Sequence, residues 1–209
     1  MVGQCVMASL LFVCCNNKGR SVVCEYLVRD MLQKKNEGLS SQVEVSSAGL
    51  VTRWDVQWLK DFGFQSWPKP AFGRAPYTNL IPVMSRRGID ISDHRSRGLN
   101  RLLVKIADLV ITAEENQKKT IVSFWPWASG KVFAFREFVE AKVEGEFLIS
   151  EDPYAPPHAD GDSIDFSSDF HEAYVAEIER YLVQNIDKLL RYLQAGSSTR
   201  GIGERSEAE

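Results

Sequence analysis

No cysteine occurs after residue 24. The four that are present, Cys5, Cys14, Cys15 and Cys24, crowd the N-terminal end. A secreted disulfide scaffold spreads its cysteines so that each bridge closes a long loop, which excludes that class here. The clustering points instead to a reducing, cytoplasmic compartment in which at least one thiol is used chemically. Histidine is scarce too: His94, His158 and His171 lie far along the chain from the cysteines, and no C-x-x-C pair occurs. That leaves no ligand spacing for a structural zinc site. No apolar run reaches bilayer length. The stretch from Cys5 to Cys15 is too short to span, and it lacks both a positive flank before it and a small-residue cleavage site after it. Neither sign of charge dominates: 25 Lys and Arg face 28 Asp and Glu, a net charge of −3. Nucleic acid and anionic membrane are therefore not expected partners, although a local basic pocket is compatible with that balance. There is no internal repeat and no heptad run.

What the chain does contain is an alternation of buried strands and amphipathic helices. Leu10–Val13 is a continuous aliphatic run of the kind buried on both faces of a sheet. From Ser21 onward apolar residues recur at helical spacing, with Val23, Leu27 and Met31 on one line and Cys24, Val28 and Leu32 beside it. Val43–Ser46 alternates as a strand, and Gly49 carries turn chemistry. "DLVIT" (108–112) and "KVFAF" (131–135) read as further strands. Helices are expected over Leu80–Arg87 with a stop at Gly88, over Asn100–Ala107, over 114–124, and over 166–194 with Ile178, Leu182, Ile186, Leu189 and Leu193 on one stripe. Residues 57–77 are rich in aromatics and prolines and read as an insertion. After residue 195 the chain has almost no apolar content and reads as a disordered tail. The pattern implies one α/β domain over 1–195, a three-layer α/β/α sandwich around a central parallel sheet.

The junction "VCCNNKGRS" (13–21) carries the chemistry. A strand–loop–helix turn presents unpaired N–H groups and the positive end of a helix dipole to one point, which suits an anion. Asn16, Asn17 and Gly19 tolerate the unusual dihedrals such a loop needs. Arg20 adds a planar fork that matches two oxygens of a tetrahedral dianion. Cys14, at the strand end, would face that cradle, and the field that binds phosphate also favours a thiolate. Cys14-x5-Arg20-Ser21 is thus an arrangement for thiolate attack on a phosphate ester, with Ser21 able to donate its hydroxyl to the sulfur. The competing reading is a buried cysteine followed by an ordinary polar linker. Farther on, "EDPY" offers Asp152 as a proton donor for a leaving oxygen, or simply an Asp-Pro turn.

These segments together resemble the low-molecular-weight protein tyrosine phosphatases over about residues 9–194. The family's V-C-x-G-N-x-C-R-S signature stands here as Val13-Cys14-Cys15-Asn16-Asn17-Lys18-Gly19-Arg20-Ser21. "SSAG" (46–49), "GIDISDHRSR" (88–97), "ADLVIT" and "EDPY" match in order. The resemblance implies a four-stranded parallel sheet and no metal or other cofactor. It implies Cys14 as nucleophile, Arg20 as the grip on the equatorial oxygens, and Asp152 as acid and then base. It also implies a phosphotyrosine protein as substrate, with phosphate or another oxyanion able to occupy the loop. The loop residues Cys15, Asn16, Asn17, Lys18, Gly19 and Ser21 would contact the phosphoryl group, with Trp54 and Tyr154 beside it. Ser47 and His94 would hold Asn17 in a left-handed conformation. A weak homodimer is kept open.

The departures set further expectations. Asn16 replaces the family's loop glycine, which implies backbone strain. Gly19 replaces a second loop cysteine, leaving Cys15 as the vicinal thiol, whose disulfide with Cys14 would close a strained ring. Lys18 replaces an apolar residue or threonine and reads as a solvated side chain at the lip rather than a trap for acidic phosphopeptides. Three alternatives share the fold or the loop. An arsenate reductase would need a relay cysteine, and none occurs after Cys24. A protein-arginine phosphatase would share Cys14, Arg20 and Asp152 but is disfavoured by Lys18. The third is a weakly active phosphotyrosine- or partner-binding module that uses the aromatic insertion.

Overall fold

The computed structural model describes residues 8–50, 72–140 and 168–203. Strand β1 (Ala8–Cys14) is buried at every position, as its unbroken apolar run predicts. It is followed by helix α1 (Arg20–Lys35), a short helix α2 (Glu37–Gln42) and strand β2 (Val43–Gly49). Helix α3 (Leu80–Ser85) and helix α4 (Arg101–Ile106) precede strand β3 (Leu109–Thr112). Helix α5 (Glu115–Phe124), a 3-10 turn (Pro126–Lys131), strand β4 (Val132–Ala134), helix α6 (Phe135–Val139) and the long helix α7 (Ser168–Gly203) complete the described chain.

The four strands run parallel in the order β2-β1-β3-β4. β1 is central to the site because it pairs on both edges: Cys14 lies opposite Gly49 of β2, and Val13 opposite Thr112 of β3. The carboxyl ends of three strands therefore meet at one edge of the sheet. That is where open parallel sheets hold ligands, because the loops leaving adjacent strands diverge there.

Side-chain alternation along β1 divides the core. Leu10, Phe12 and Cys14 face one side, packed with Val23, Leu27 and Val28 of α1 and with Ile178, Leu182, Leu189 and Leu193 of α7. Leu11 and Val13 face the other side, against Val104 and Ala107 around α4, Ile121 of α5, Ala128 and Val132. The side chain of Cys14 thus belongs to the face covered by α1. Both predicted helical stripes are buried, apart from Met31 and Ile186, which pack partly covered at the margin.

The sequence and the structure differ at several boundaries. The residues after α1, for which the sequence announces no helix, form α2 with Gly38 inside it. α3 ends at Ser85, before Arg87 and Gly88, and the φ of 76° at Gly88 makes the left-handed reversal expected of it. α7 runs past Gly196 to Gly203. Gly49 has no positive φ and makes no turn. It closes β2 where an added Cβ would stand 2.8 Å from the Cys15 carbonyl oxygen, so it is required for close approach rather than for reversal. Among the described residues no helix is long and apolar enough to cross a membrane.

Replacing Leu27, fully buried on α1 within the core, by alanine is expected to cost about 2–5 kcal/mol in urea unfolding. Val183→Ala, at a position 57% exposed on α7, is expected to cost less than about 0.5 kcal/mol. Equal shifts would place the core elsewhere.

Candidate active site

The loop between β1 and α1 is shaped by one residue. Asn17 has φ of 55°, a left-handed conformation that asparagine tolerates better than most side chains. It is fully buried, so its side-chain amide and its carbonyl need partners, and these come from three separate parts of the chain. Its Nδ2 donates to Ser47 Oγ at 2.7 Å and to Ser21 Oγ at 3.0 Å. Its Oδ1 accepts from the Arg97 backbone N–H at 2.9 Å, and its carbonyl faces His94 Nε2 at 3.1 Å. Ser47 sits on β2, Ser21 opens α1, and His94 and Arg97 belong to the segment after α3. That segment is fastened to the end of β2 by Gly49 N–H to Arg97 O and Leu99 N–H to Gly49 O, both 2.8 Å.

Asn16, by contrast, adopts no positive φ, so the expected strain at that position is absent. The left-handed residue is the next one along, and asparagine occupies it. Gly19 precedes α1 with φ of −129°, and no side chain caps the helix start.

Cys14 Sγ lies 3.0 Å from Ser21 Oγ. Proton bookkeeping fixes the direction available to a thiolate. Asn17 Nδ2 can only donate, so it takes a lone pair of Ser21 and leaves the hydroxyl hydrogen free to point at sulfur. The other described cysteines are also free thiols, but their surroundings differ. Cys15 turns its sulfur toward Asn16 Oδ1 at 3.7 Å. Cys24 is buried in α1, and burial, reinforced by the nearby Cys14, pushes its thiol far above the ordinary value. It stays protonated and inert as a nucleophile.

Behind the loop, Ser47 donates to Glu25 Oε2, and Glu25 Oε1 pairs with Arg29 at 2.6 Å. Arg29 in turn donates twice to the Val45 carbonyl, at 3.0 and 2.7 Å. His94 sits beside this group, with Nδ1 4.0 Å from Glu25 Oε2 and its ring edge-on to Tyr26. Burial holds the His94 imidazole below its ordinary value, and the opposing pull of Glu25 does not overcome it. A neutral ring with its proton on Nε2 is the form that donates to Asn17 O.

Arg20 is buried at the start of α1, and its Nη1 meets Glu114 Oε1 at 2.6 Å. Glu114 caps α5, where its backbone N–H donates to Gln117 Oε1 at 3.2 Å. Lys18 is not the solvated side chain its sequence context suggests: it is only 8% exposed. Its ammonium rests 4.6 Å above the Tyr77 ring, and the Tyr77 N–H donates to its carbonyl at 3.1 Å.

The structure therefore brings together Cys14, Cys15, Asn16, Asn17, Lys18, Gly19, Arg20, Ser21, Ser47 and His94. Trp54, Asp152 and Tyr154, and all of the 57–77 insertion before Phe72, lie outside the described residues. Four participants escaped the sequence reading: Glu25, Glu114, Arg97 and Tyr77. Glu114 carried a usable signal, as an acid two residues after a buried strand that ends at the same sheet edge as Cys14. Among the described residues no group of three or more His, Cys, Asp or Glu is placed to hold a metal.

Comparison with known proteins agrees with this geometry. The family profile described as low molecular weight phosphotyrosine protein phosphatase matches residues 9–57 and 70–195. The interval it skips falls inside the aromatic, proline-rich stretch. The low molecular weight protein-tyrosine-phosphatase Ptp of Acinetobacter johnsonii is 31% identical over 125 residues, covering 60% of this chain and 70% of its own. The crystal structure of a low molecular weight protein tyrosine phosphatase from T. tengcongensis is 26% identical with a TM-score of 0.61, covering 87% of this chain and 99% of its own. The YwlE arginine phosphatase from Geobacillus stearothermophilus shares the fold at 24% identity and a TM-score of 0.62, covering 88% and 94%.

The His94 environment generates a pH prediction. Its folded-state value lies below the unfolded reference of about 6.5, so the unfolded chain takes up the proton first as pH falls. The contribution is complete above that reference and is lost below it. Urea midpoints should therefore drop between pH 7.5 and 5.5, and the drop should be smaller in His94→Gln. An equal drop in both proteins would remove His94 from the network's pH dependence.

Proposed function

Because the chain belongs to the low molecular weight phosphotyrosine protein phosphatase family, we propose that it hydrolyses phosphotyrosine in proteins, or small aryl phosphate monoesters, through a cysteinyl-phosphate intermediate. The observation that carries this reading is Cys14 Sγ held 3.0 Å from the Ser21 hydroxyl, whose hydrogen is left available to it by the Asn17 amide, at the mouth of the loop that Asn17 fixes. In the first step the Cys14 thiolate attacks phosphorus and the bond to the aryl oxygen breaks. Arg20 and the loop N–H groups hold the equatorial oxygens through the charge build-up. Asp152, carried over from the family motif, protonates the leaving phenolate. In the second step the same carboxylate takes a proton from water, which attacks phosphorus, releases phosphate and restores the thiolate.

Arsenate reduction on this fold requires a second thiol that can attack the first. Cys24, buried and held protonated, is poorly suited to that role. Neither phosphatase step needs a second copy of the chain, a metal or a cofactor. We place the protein in the cytoplasm on the clustering of its free cysteines.

With p-nitrophenyl phosphate, Cys14→Ser should abolish turnover while still binding inorganic phosphate, and Cys15→Ser should stay within about threefold of wild type. Equal loss in both would reject Cys14 as nucleophile. Asp152→Ala should slow phenyl phosphate by about 10²–10⁴-fold, and an ester with an activated leaving group much less. Equal slowing of the two esters would remove Asp152 from proton transfer.

A further inference from the structure

We propose that the face formed by α4, the end of α5 and the 3-10 turn docks on the surface of an anionic lipid bilayer. Docking there is independent of the chemistry at Cys14. Among the described residues six large apolar side chains are exposed, and four of them belong to this face. Leu102 and Ile106 lie one turn apart on α4, at 64% and 42% exposure. Phe124 ends α5 and Trp127 lies in the turn that follows, at 68% and 48%. Lys131 joins the two elements: its ammonium donates to the carbonyls of Lys105 and Ala107, at 3.1 and 2.5 Å, and rests 5.4 Å from the centre of the Trp127 ring. The end of the turn is anchored by Tyr192 Oη, which donates to Gly130 O at 2.6 Å. Beneath them Val104, Ala107, Ile121 and Ala128 share one core, so α4, α5 and the turn cover the same face of the sheet.

The charges of this layer are sorted. Between Asn100 and Val132 the acids are Asp108, Glu114 and Glu115. Asp108 is buried and accepts from the Ser9 N–H at 2.8 Å, and Glu114 meets Arg20. Lys118 is taken by Glu137 at 2.6 Å. Arg101, Lys105 and Lys119 are exposed, and Glu115 is the one fully exposed acid of the stretch. Glu115 opens α5 next to Glu114, and the 10 residues of that helix carry the chain about 15 Å back to Phe124. The end of α4 and the 3-10 turn lie where β3 and β4 begin, at the edge of the sheet opposite Cys14. The net charge of −3 therefore conceals a basic and apolar face remote from the reactive loop.

Trp, Phe and Leu beside Lys and Arg is the combination that holds a protein in the headgroup layer. The rings and aliphatic side chains enter the acyl boundary, and the cations stay with the anionic headgroups. Side chains this exposed stand out from the surface. A deformable bilayer can close round each of them, whereas a folded partner must supply a matching hollow. A second copy paired through the same face would set Arg101 and Lys105 against their own counterparts, so like charge opposes that arrangement. With this face on the lipid, Cys14 lies at the far edge of the sheet and the reactive loop stays clear of the bilayer.

The test is co-sedimentation of the full chain with sucrose-loaded vesicles of phosphatidylcholine alone, or of phosphatidylcholine with about one-third phosphatidylserine. Wild type should partition onto the anionic vesicles at least about tenfold more strongly than onto the neutral ones, and most of that gain should vanish in about 0.5 M salt. Two double variants, Ile106→Ser with Trp127→Ser and Arg101→Glu with Lys105→Glu, should each weaken anionic-vesicle binding at least about tenfold while circular dichroism shows them folded. Val183→Ser, at an exposed apolar position on α7, should stay within about twofold of wild type. Wild type that binds neither vesicle, or both equally, overturns the proposal without any variant. So does either folded double variant that binds as wild type does, or a Val183→Ser loss as large as theirs. Wild type that ignores vesicles but binds poly-L-glutamate through the same residues makes the partner an acidic polypeptide and overturns the lipid assignment. A dimer in sedimentation velocity that the same variants dissociate, without vesicle binding, assigns the face to a second copy and overturns it equally.

Discussion

The site depends on the buried amide of Asn17. A left-handed residue in a short loop is costly for most side chains, and a buried amide is costly unless every donor and acceptor is met. Both demands are met by one set of bonds, because the partners that satisfy the amide also hold the dihedral. Those partners come from β2, from the first turn of α1 and from the segment after α3. Three otherwise independent parts of the chain are thereby fixed to a single point. Disturbing any of them leaves a buried polar group unpaired.

Charge around this point is arranged in pairs of unequal burial. Glu25 receives Ser47 and Arg29, so the carboxylate behind the loop acts as an acceptor post for the hydroxyl that holds Asn17. Glu114 positions Arg20 from the opposite wall, across the edge of the sheet. Because these acids accept from groups that must themselves point at the loop, they orient donors and also offset charge. The neutral imidazole of His94 adds a donor without adding charge. On the proposed reading the result is a cradle whose donors are fixed in direction before an anion enters, the condition under which hydrogen bonds contribute most to stabilising a transition state.

Much of the fold was legible because its signals are local. The run at β1, the stripes of α1 and α7, and the alternation of strand and helix all depend on spacings of a few residues. The same holds for Cys14, Arg20 and Ser21, which a loop of fixed length brings together. Ser47 and His94 were reachable only through the family resemblance, since nothing in their own neighbourhoods points to Asn17. Glu114 lies 94 residues from Arg20, and only the register of β3 beside β1 makes them neighbours. Lys18 was misread for a related reason. It packs against Tyr77, the last residue of the aromatic stretch, which returns to the loop through a backbone bond that no periodicity announces. Asn16 was assigned strain because a glycine is expected there, whereas the dihedral constraint falls on Asn17. Local pattern identified the elements and the reactive loop, and tertiary register decided which distant side chains support it.

The central claim is that the side chain of Asn17, acting through its buried bonds, organises the oxyanion cradle. Calorimetric titration of inorganic vanadate into wild type and Asn17→Ala, with circular dichroism to verify that both are folded, tests this most directly. The account predicts at least a tenfold loss of vanadate affinity in the folded variant. Undiminished affinity would contradict it, because the cradle would then form without the bonds said to build it.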